Sequence, residues 1–118
     1  MIEWRHDIPI FLHQAPVDFR KSINGLSVIV AEAMPLPAIE PALFVFCNRS
    51  RRQLKVLYWD RTGFALWQKR LEQDKFKWPR RANSDVVTLS HEQWCWLLRG
   101  LDITKMHPHS AINYRDVA

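Results

Sequence analysis

The chain has 118 residues, 47% of them hydrophobic, which suits one globular domain with one core. It has no run of about 18 uncharged apolar residues and no basic-then-apolar opening. We therefore expect a cytoplasmic protein without a membrane span. The net charge is +5, and Cys47 and Cys95 lack the spacing of a zinc site or of a disulfide framework.

The first predicted element is a helix over residues 18–34. Asp18 is a candidate N-cap, and apolar residues recur at steps of three and four from Phe19 to Ala33. Three prolines then fall between residues 35 and 41, and each removes a backbone donor. These prolines predict a connector after the helix.

Residues 43–88 are predicted to form an antiparallel sheet of about four strands. Strand-forming runs occupy residues 43–47, 53–59 and 64–71, and an Asp-Arg-Thr-Gly sequence between the last two is typical of a type I turn. Residues 64–71 also fit a helical period, although a strand is favoured. Residues 75–78 suit an edge strand, and residues 86–88 are expected to add a short one.

A second helix is predicted over residues 90–100. Ser90 and Gln93 form a capping box, and Gly100 supplies the left-handed residue that ends many helices. Residues 104–118 are polar and aperiodic, which predicts a loose C-terminal tail. Residues 1–103 are thus expected to form a single α+β domain, with the sheet packed against two helices.

No arrangement of catalytic or metal-binding residues is recognisable. Asp60, Asp74 and Asp85 fall in separate turns and loops, whereas metal-dependent hydrolysis needs carboxylates that converge. There is no Gly-rich phosphate loop, and the five histidines have no spacing that pairs them with a nucleophile. We expect a protein that works by binding, without a catalytic site, a metal or another cofactor.

Positive charge is concentrated in the middle of the chain. Residues 49–81 hold eleven Lys and Arg against three Asp and Glu, whereas the rest carries a net charge of −3. Such segregation is typical of a surface that faces phosphates or an acidic protein patch, although a solvated sheet face would look similar. The candidate phosphate contacts are Arg49, Arg51, Arg52, Lys55, Lys69, Arg70, Lys75, Lys77, Arg80 and Arg81.

Aromatic residues interleave with this basic segment. Three of the six tryptophans, Trp59, Trp67 and Trp78, lie in it, as in proteins that stack on single-stranded nucleic acid. Most of these rings are expected in the core, and Trp78 is the candidate stacking platform. Lys55 would share a strand face with Trp59, as a cation on a largely apolar face that could snorkel, pair with an acid or mark a binding surface.

Several fragments, in this order and spacing, are similar to one protein family. They are Asp18-Phe19-Arg20-Lys21 with Gly25-Leu26, Leu43-Phe44-Val45-Phe46, Lys55-Val56-Leu57-Tyr58-Trp59-Asp60 with Gly63, Lys69-Arg70-Leu71-Glu72 with Phe76 and Trp78-Pro79, and Leu97-Leu98 with Gly100 and Asp102. Together they resemble the TnpB-type accessory protein, which the second open reading frame of insertion sequence 66 elements encodes. The resemblance covers residues 8–103 and departs at Phe19 and Ser22, where the family often has methionine and glycine.

The resemblance implies a role in the transposition of a bacterial mobile element. It also implies that the large transposase of another frame is the catalyst, so no catalytic residue is carried over. Matching positions without assigned roles are Arg20, Lys21, Arg51, Arg52, Lys55, Trp59, Asp60, Arg70, Glu72, Trp78 and Pro79. We expect an accessory factor that binds DNA, and the alternative is a module that docks on the transposase through the same surface without DNA contact.

Overall fold

The computed structural model describes residues 7–80 and 84–106, which form five strands and two helices. The elements are β1 (Ile10–His13), α1 (Ile23–Ala33), β2 (Leu43–Cys47), β3 (Gln53–Asp60), β4 (Gly63–Arg70), β5 (Val86–Leu89) and α2 (His91–Leu98). The expected α+β class is confirmed. The strands predicted at residues 64–71 and 86–88 are present as β4 and β5.

The strands form one mixed sheet in the order β4-β3-β2-β1-β5. β1 and β2 are parallel, and the other neighbouring strands are antiparallel. The sequence prediction of an antiparallel sheet starting at residue 43 lacked β1. This strand has only four residues and takes its backbone partners from β2 and β5, so distant pairing rather than local propensity decides that it forms.

α1 covers one face of the sheet and is shorter than predicted. It begins after Ser22, whereas residues 18–21 form a turn in which the Lys21 N–H donates to the Asp18 carbonyl at 3.0 Å. The Asp18 carboxylate accepts hydrogen bonds from Arg20, so it does not cap the helix. Leu26 and Val30 of α1 are fully buried against the apolar residues of β2 and β3 on this face.

α2 and the irregular segment 71–80 cover the other face. Trp94 and Leu97 of α2 are fully buried there, and Phe76 and Trp78 belong to the same core cluster. The strand predicted at residues 75–78 is absent. The Phe76 N–H donates to the Arg51 carbonyl in the turn between β2 and β3, and the Trp78 N–H donates to the Phe76 carbonyl, so neither backbone donor pairs with a strand. One sheet therefore separates two apolar layers.

The ends of α2 follow their sequence signals. The Gln93 N–H donates to the Ser90 hydroxyl at 3.0 Å, and the Ser90 N–H donates to the Gln93 side-chain oxygen at 2.9 Å. Gly100 has a φ of 85°, in the left-handed region that glycine adopts without steric cost. The predicted capping box and helix stop are both confirmed.

Cys47 lies at the end of β2, the central strand, and is fully buried. Burial raises the pKa of its thiol to about 12, against a smaller lowering effect of the Arg51 charge. The Cys47 thiol therefore keeps its proton to a higher pH in the folded protein than in the unfolded chain.

We expect Ser90→Ala to lower the free energy of unfolding by about 1 kcal/mol, because the substitution leaves the Gln93 N–H without its cap. Urea unfolding measures this difference. Ser50→Ala, which removes a hydroxyl from an exposed turn position, is the matched control and should change stability much less. Equal effects of the two substitutions would contradict the role assigned to the cap.

We expect the Cys47 thiol to make stability fall as the pH rises above 9. The unfolded thiol ionises near its ordinary pKa of 9.0, whereas the folded one stays protonated until about 12, so alkali favours the unfolded state across this window. Unfolding free energies of the wild type and of Cys47→Ala should be compared at pH 8 and pH 10. The prediction fails if the two proteins lose the same stability between these pH values.

Candidate nucleic-acid interface

One end of the sheet collects most of the predicted basic residues. The registers His13↔Val86, Cys47↔Leu54 and Gln53↔Arg70 place the loops 14–22, 48–52 and 71–80 together at this end. We call this surface the basic end and define it by its exposed or half-buried cations. They are Arg49, Arg51, Arg52, Lys69, Arg70, Lys75, Lys77 and Arg80.

The turn at residues 48–52 is held by hydrogen bonds around Asn48. The Asn48 N–H donates to the Gln53 carbonyl at 3.2 Å, and the Gln53 N–H donates back to the Asn48 side-chain oxygen at 3.2 Å. Arg51 has a φ of 62° and is half-buried. Arg49 and Arg52 are exposed on the same fixed backbone.

The segment 71–80 crosses the basic end as a strap, and its backbone and side chains are anchored there. The Phe76 N–H donates to the Arg51 carbonyl at 2.7 Å. The Trp78 indole N–H donates to the His13 carbonyl at 3.1 Å. The strap is therefore tied both to the turn between β2 and β3 and to the end of β1.

Side chains of the strap alternate between the core and the solvent. Phe76 and Trp78 are 2% and 7% exposed, whereas Lys75, Lys77 and Arg80 are exposed. The buried rings thus hold three cations on the outer surface. Trp78, the predicted stacking platform, faces inward, and the only hydrogen-bond donor of its side chain is used within the protein.

Lys55 is also inside the protein and not on the basic end. Its side chain is 7% exposed, and its ammonium donates hydrogen bonds to the Phe19 and Lys21 carbonyls at 3.0 Å and 3.3 Å. The same nitrogen lies 4.8 Å from the centre of the Phe19 ring. Lys55 therefore stabilises the loop before α1, a role that the sequence pattern did not suggest, and its burial removes it from the phosphate-contact set.

Lys69 and Arg70 are the last two residues of β4, and they lie on opposite faces of the sheet. A guanidinium nitrogen of Arg70 lies 3.1 Å from the Glu72 carboxylate, with both side chains well exposed. An ion pair in water contributes little stability, so Arg70 can exchange this partner for a phosphate at low cost. Arg81, the remaining predicted contact, lies outside the described residues.

The loop 14–22 adds two cations to the basic end that were not predicted as contacts. Lys21 is exposed, and Arg20 is exposed and bound to Asp18 at 2.6 Å. Hydrogen bonds from Arg20 lower the pKa of Asp18 to about 2. This loop and the turn 48–52 border an open cleft of about 700 Å³. The family resemblance marked both residues, but only the topology places Arg20 at the same cleft as Arg49.

The opposite end of the sheet is acidic. The ends of α1 and β3 and the starts of β1 and α2 lie there. The exposed acidic residues at this end are Asp7, Glu32, Glu40, Asp60 and Glu92. Arg61 is the basic residue of the turn between β3 and β4 at this end. The basic end also exposes Asp18, Glu72, Asp74 and Asp85, but its cations outnumber them, so the two ends of the sheet carry net charges of opposite sign.

Among residues 7–80 and 84–106, no group of three or more His, Cys, Asp and Glu side chains could hold a metal ion. No helix in this part of the chain is long and apolar enough to cross a membrane.

Comparisons with known proteins agree with the resemblance seen in the sequence. A family model described as IS66 Orf2 like protein matches residues 8–108. The uncharacterized protein y4jC of Sinorhizobium fredii (strain NBRC 101917 / NGR234) is 33% identical over 106 residues, which cover 90% of each chain. The uncharacterized protein y4hO of the same strain is 31% identical over 102 residues, 86% of this chain and 88% of the relative. No solved structure matches significantly.

We expect Lys55→Met to lower the free energy of unfolding by about 1–3 kcal/mol, because it leaves the Phe19 and Lys21 carbonyls without their donor. Methionine keeps most of the buried stem, so the loss reports the two hydrogen bonds together with the contact between the charge and the Phe19 ring. Lys75→Met, at an exposed position of the strap, is the control and should stay within about 0.5 kcal/mol of the wild type. Wild-type stability of the Lys55 variant would contradict the role of this lysine.

Proposed function

The chain belongs to the IS66 Orf2-like family, and we propose that it serves the transposition of an insertion sequence as an accessory protein that binds DNA through its basic end. One observation carries the proposal: cations from separate parts of the sequence meet on one surface. The role is binding and not catalysis, and it is exercised in the cytoplasm, where bacterial DNA lies.

The basic end has the physical properties that a phosphate backbone requires. Arg49, Arg52, Lys75, Lys77 and Arg80 are exposed, so each can contact a phosphate without breaking a contact within the core. Lysine and arginine that neutralise phosphates release condensed counterions, which supplies affinity without reading the base sequence. The hydrogen bonds of the turn and the strap fix the backbone that carries these side chains, so less backbone entropy is lost when DNA binds.

The acidic end of the sheet also favours DNA binding at the basic end. A polyanion is repelled by Glu32, Glu40 and Asp60 and attracted by the opposite end, so the polarity of the protein would steer DNA to one surface. Phe76 and Trp78 of the strap are buried, which leaves them unable to stack on unpaired bases. The contact that we propose is therefore with the backbone of duplex DNA.

We expect the purified protein to bind a fluorescent DNA duplex with an affinity that falls steeply with salt. In a variant that combines Lys75→Gln, Lys77→Gln and Arg80→Gln, the slope of log K against log salt should be smaller by about 2 to 3, because each lost phosphate contact removes about 0.9. Fluorescence anisotropy across a salt series measures both slopes. The core contacts of Phe76 and Trp78 are unchanged in this variant.

A pair of single substitutions separates the two ends of the sheet. Arg49→Gln removes one charge from the basic end, and Arg61→Asn removes one from the acidic end, where asparagine tolerates the φ of 53°. We expect only Arg49→Gln to weaken binding. If the wild type binds no duplex at low salt, the DNA-binding proposal is wrong, and the basic end is then assigned to docking on the transposase.

A further inference from the structure

The outer edge of β4 is the longest open edge of the sheet. β4 has eight residues and lies last in the strand order, and no strand among residues 7–80 and 84–106 pairs with its outer side. β5, the strand at the other edge, has four residues. An edge strand presents unpaired N–H and C=O groups, which are a template for a further strand.

β4 carries charge only at its end, in Lys69 and Arg70, and its first six residues lack the features that usually prevent edge-to-edge pairing. It contains no proline, and its register with β3 runs without a bulge from Gln53↔Arg70 to Asp60↔Gly63. Its middle, residues 64–67, is Phe-Ala-Leu-Trp, uncharged and half-buried. Edge strands usually interrupt such a stretch with a charge, a bulge or a proline, so the uncharged residues 63–68 point to a partner that covers this part of β4.

We infer that β4 is a self-association surface, on which β4 of a second copy pairs antiparallel to give a two-fold symmetric dimer with one continuous sheet. A two-fold axis is the commonest symmetry of homodimers, and an antiparallel pair of identical strands satisfies it. Main-chain hydrogen bonds would supply affinity, as in other cases of strand addition.

The charges along the strand favour a second copy in the antiparallel direction. Parallel pairing would align Lys69 and Arg70 with the same residues of the other copy, and like charges directly opposite are destabilising. Antiparallel pairing separates them and brings the basic end of each copy beside the acidic end of the other, including Asp60 and Glu32. The charges at the two ends of the chain are thus complementary in an antiparallel pair and repulsive in a parallel one.

Apolar side chains beside β4 would gain burial on pairing. Phe64 and Leu66 lie half-buried on the α1 face, and Ala65 and Trp67 lie half-buried on the α2 face. Trp59 is 36% exposed and packs edge-on against Phe64, with the ring centres 5.0 Å apart. A second copy at this edge would remove part of this apolar surface from water.

The first test is the mass of the wild-type protein without DNA, measured by sedimentation at tens of micromolar. We expect twice the 14.0 kDa of the single chain. A single-chain mass would overturn the inference and would leave the edge to a different partner. DNA is absent from this experiment, so its outcome is independent of the function proposed for the basic end.

Charge-swap variants test the place of the contact. The pair Ala65→Lys with Gln68→Lys, and the pair Ala65→Glu with Gln68→Glu, each place one like charge on each face of the β4 edge. A two-fold axis near the middle of β4 keeps equivalent side chains on the same face, so at least one of these charges comes close to the same residue of the second copy. We expect each variant alone to have the single-chain mass and an equimolar mixture of the two to recover the doubled mass. A lysine variant that stays dimeric would overturn the assignment to β4.

A control variant carries the same charge change on another surface. Val28→Lys with Ile39→Lys substitutes two side chains that are 55% and 60% exposed and lie outside β4, so this variant should keep the doubled mass. Amide hydrogen exchange of the wild type adds a measurement without substitution. Exchange in β4 should slow as protein concentration rises, and a rate independent of concentration would contradict the inference.

Discussion

Parallel pairing of β1 with β2 is the constraint on which the rest of the structure depends. Parallel neighbours cannot be joined by a tight turn, so the chain must cross over one face of the sheet, and α1 makes this crossing. The crossing brings the loop 14–22 to the sheet end that carries the turn 48–52 and the strap. Without β1, the strap would also lose the His13 carbonyl that anchors Trp78.

The strap links stability to the proposed function. Its two aromatic rings fill the core between the sheet and α2, and the residues between and beside them carry exposed positive charge. The same alternation therefore holds the segment in place and sets the spacing of its cations. Lys55 differs from the cations of the strap, because its ammonium lies inside the protein and donates hydrogen bonds to two carbonyls of the loop before α1.

The basic end and the β4 edge share Lys69 and Arg70 but have different physical demands. The basic end needs exposed charge and would weaken with salt, whereas the β4 edge needs unpaired backbone groups and apolar side chains. In an antiparallel dimer the two basic ends would point in opposite directions along the strands. Such a dimer would offer DNA two equivalent surfaces, each beside the acidic end of the other copy.

Local chemistry in the sequence determined β2, β3, β4 and α2, because alternation, turn residues and the Ser90–Gln93 capping box act between near neighbours. The sequence also determined the concentration of positive charge at residues 49–81. Only the tertiary structure decided that β1 forms, that α1 starts after Ser22, and that Lys55 and Trp78 face inward. A period of two shows which residues share a face, but the partners that cover that face come from distant parts of the chain.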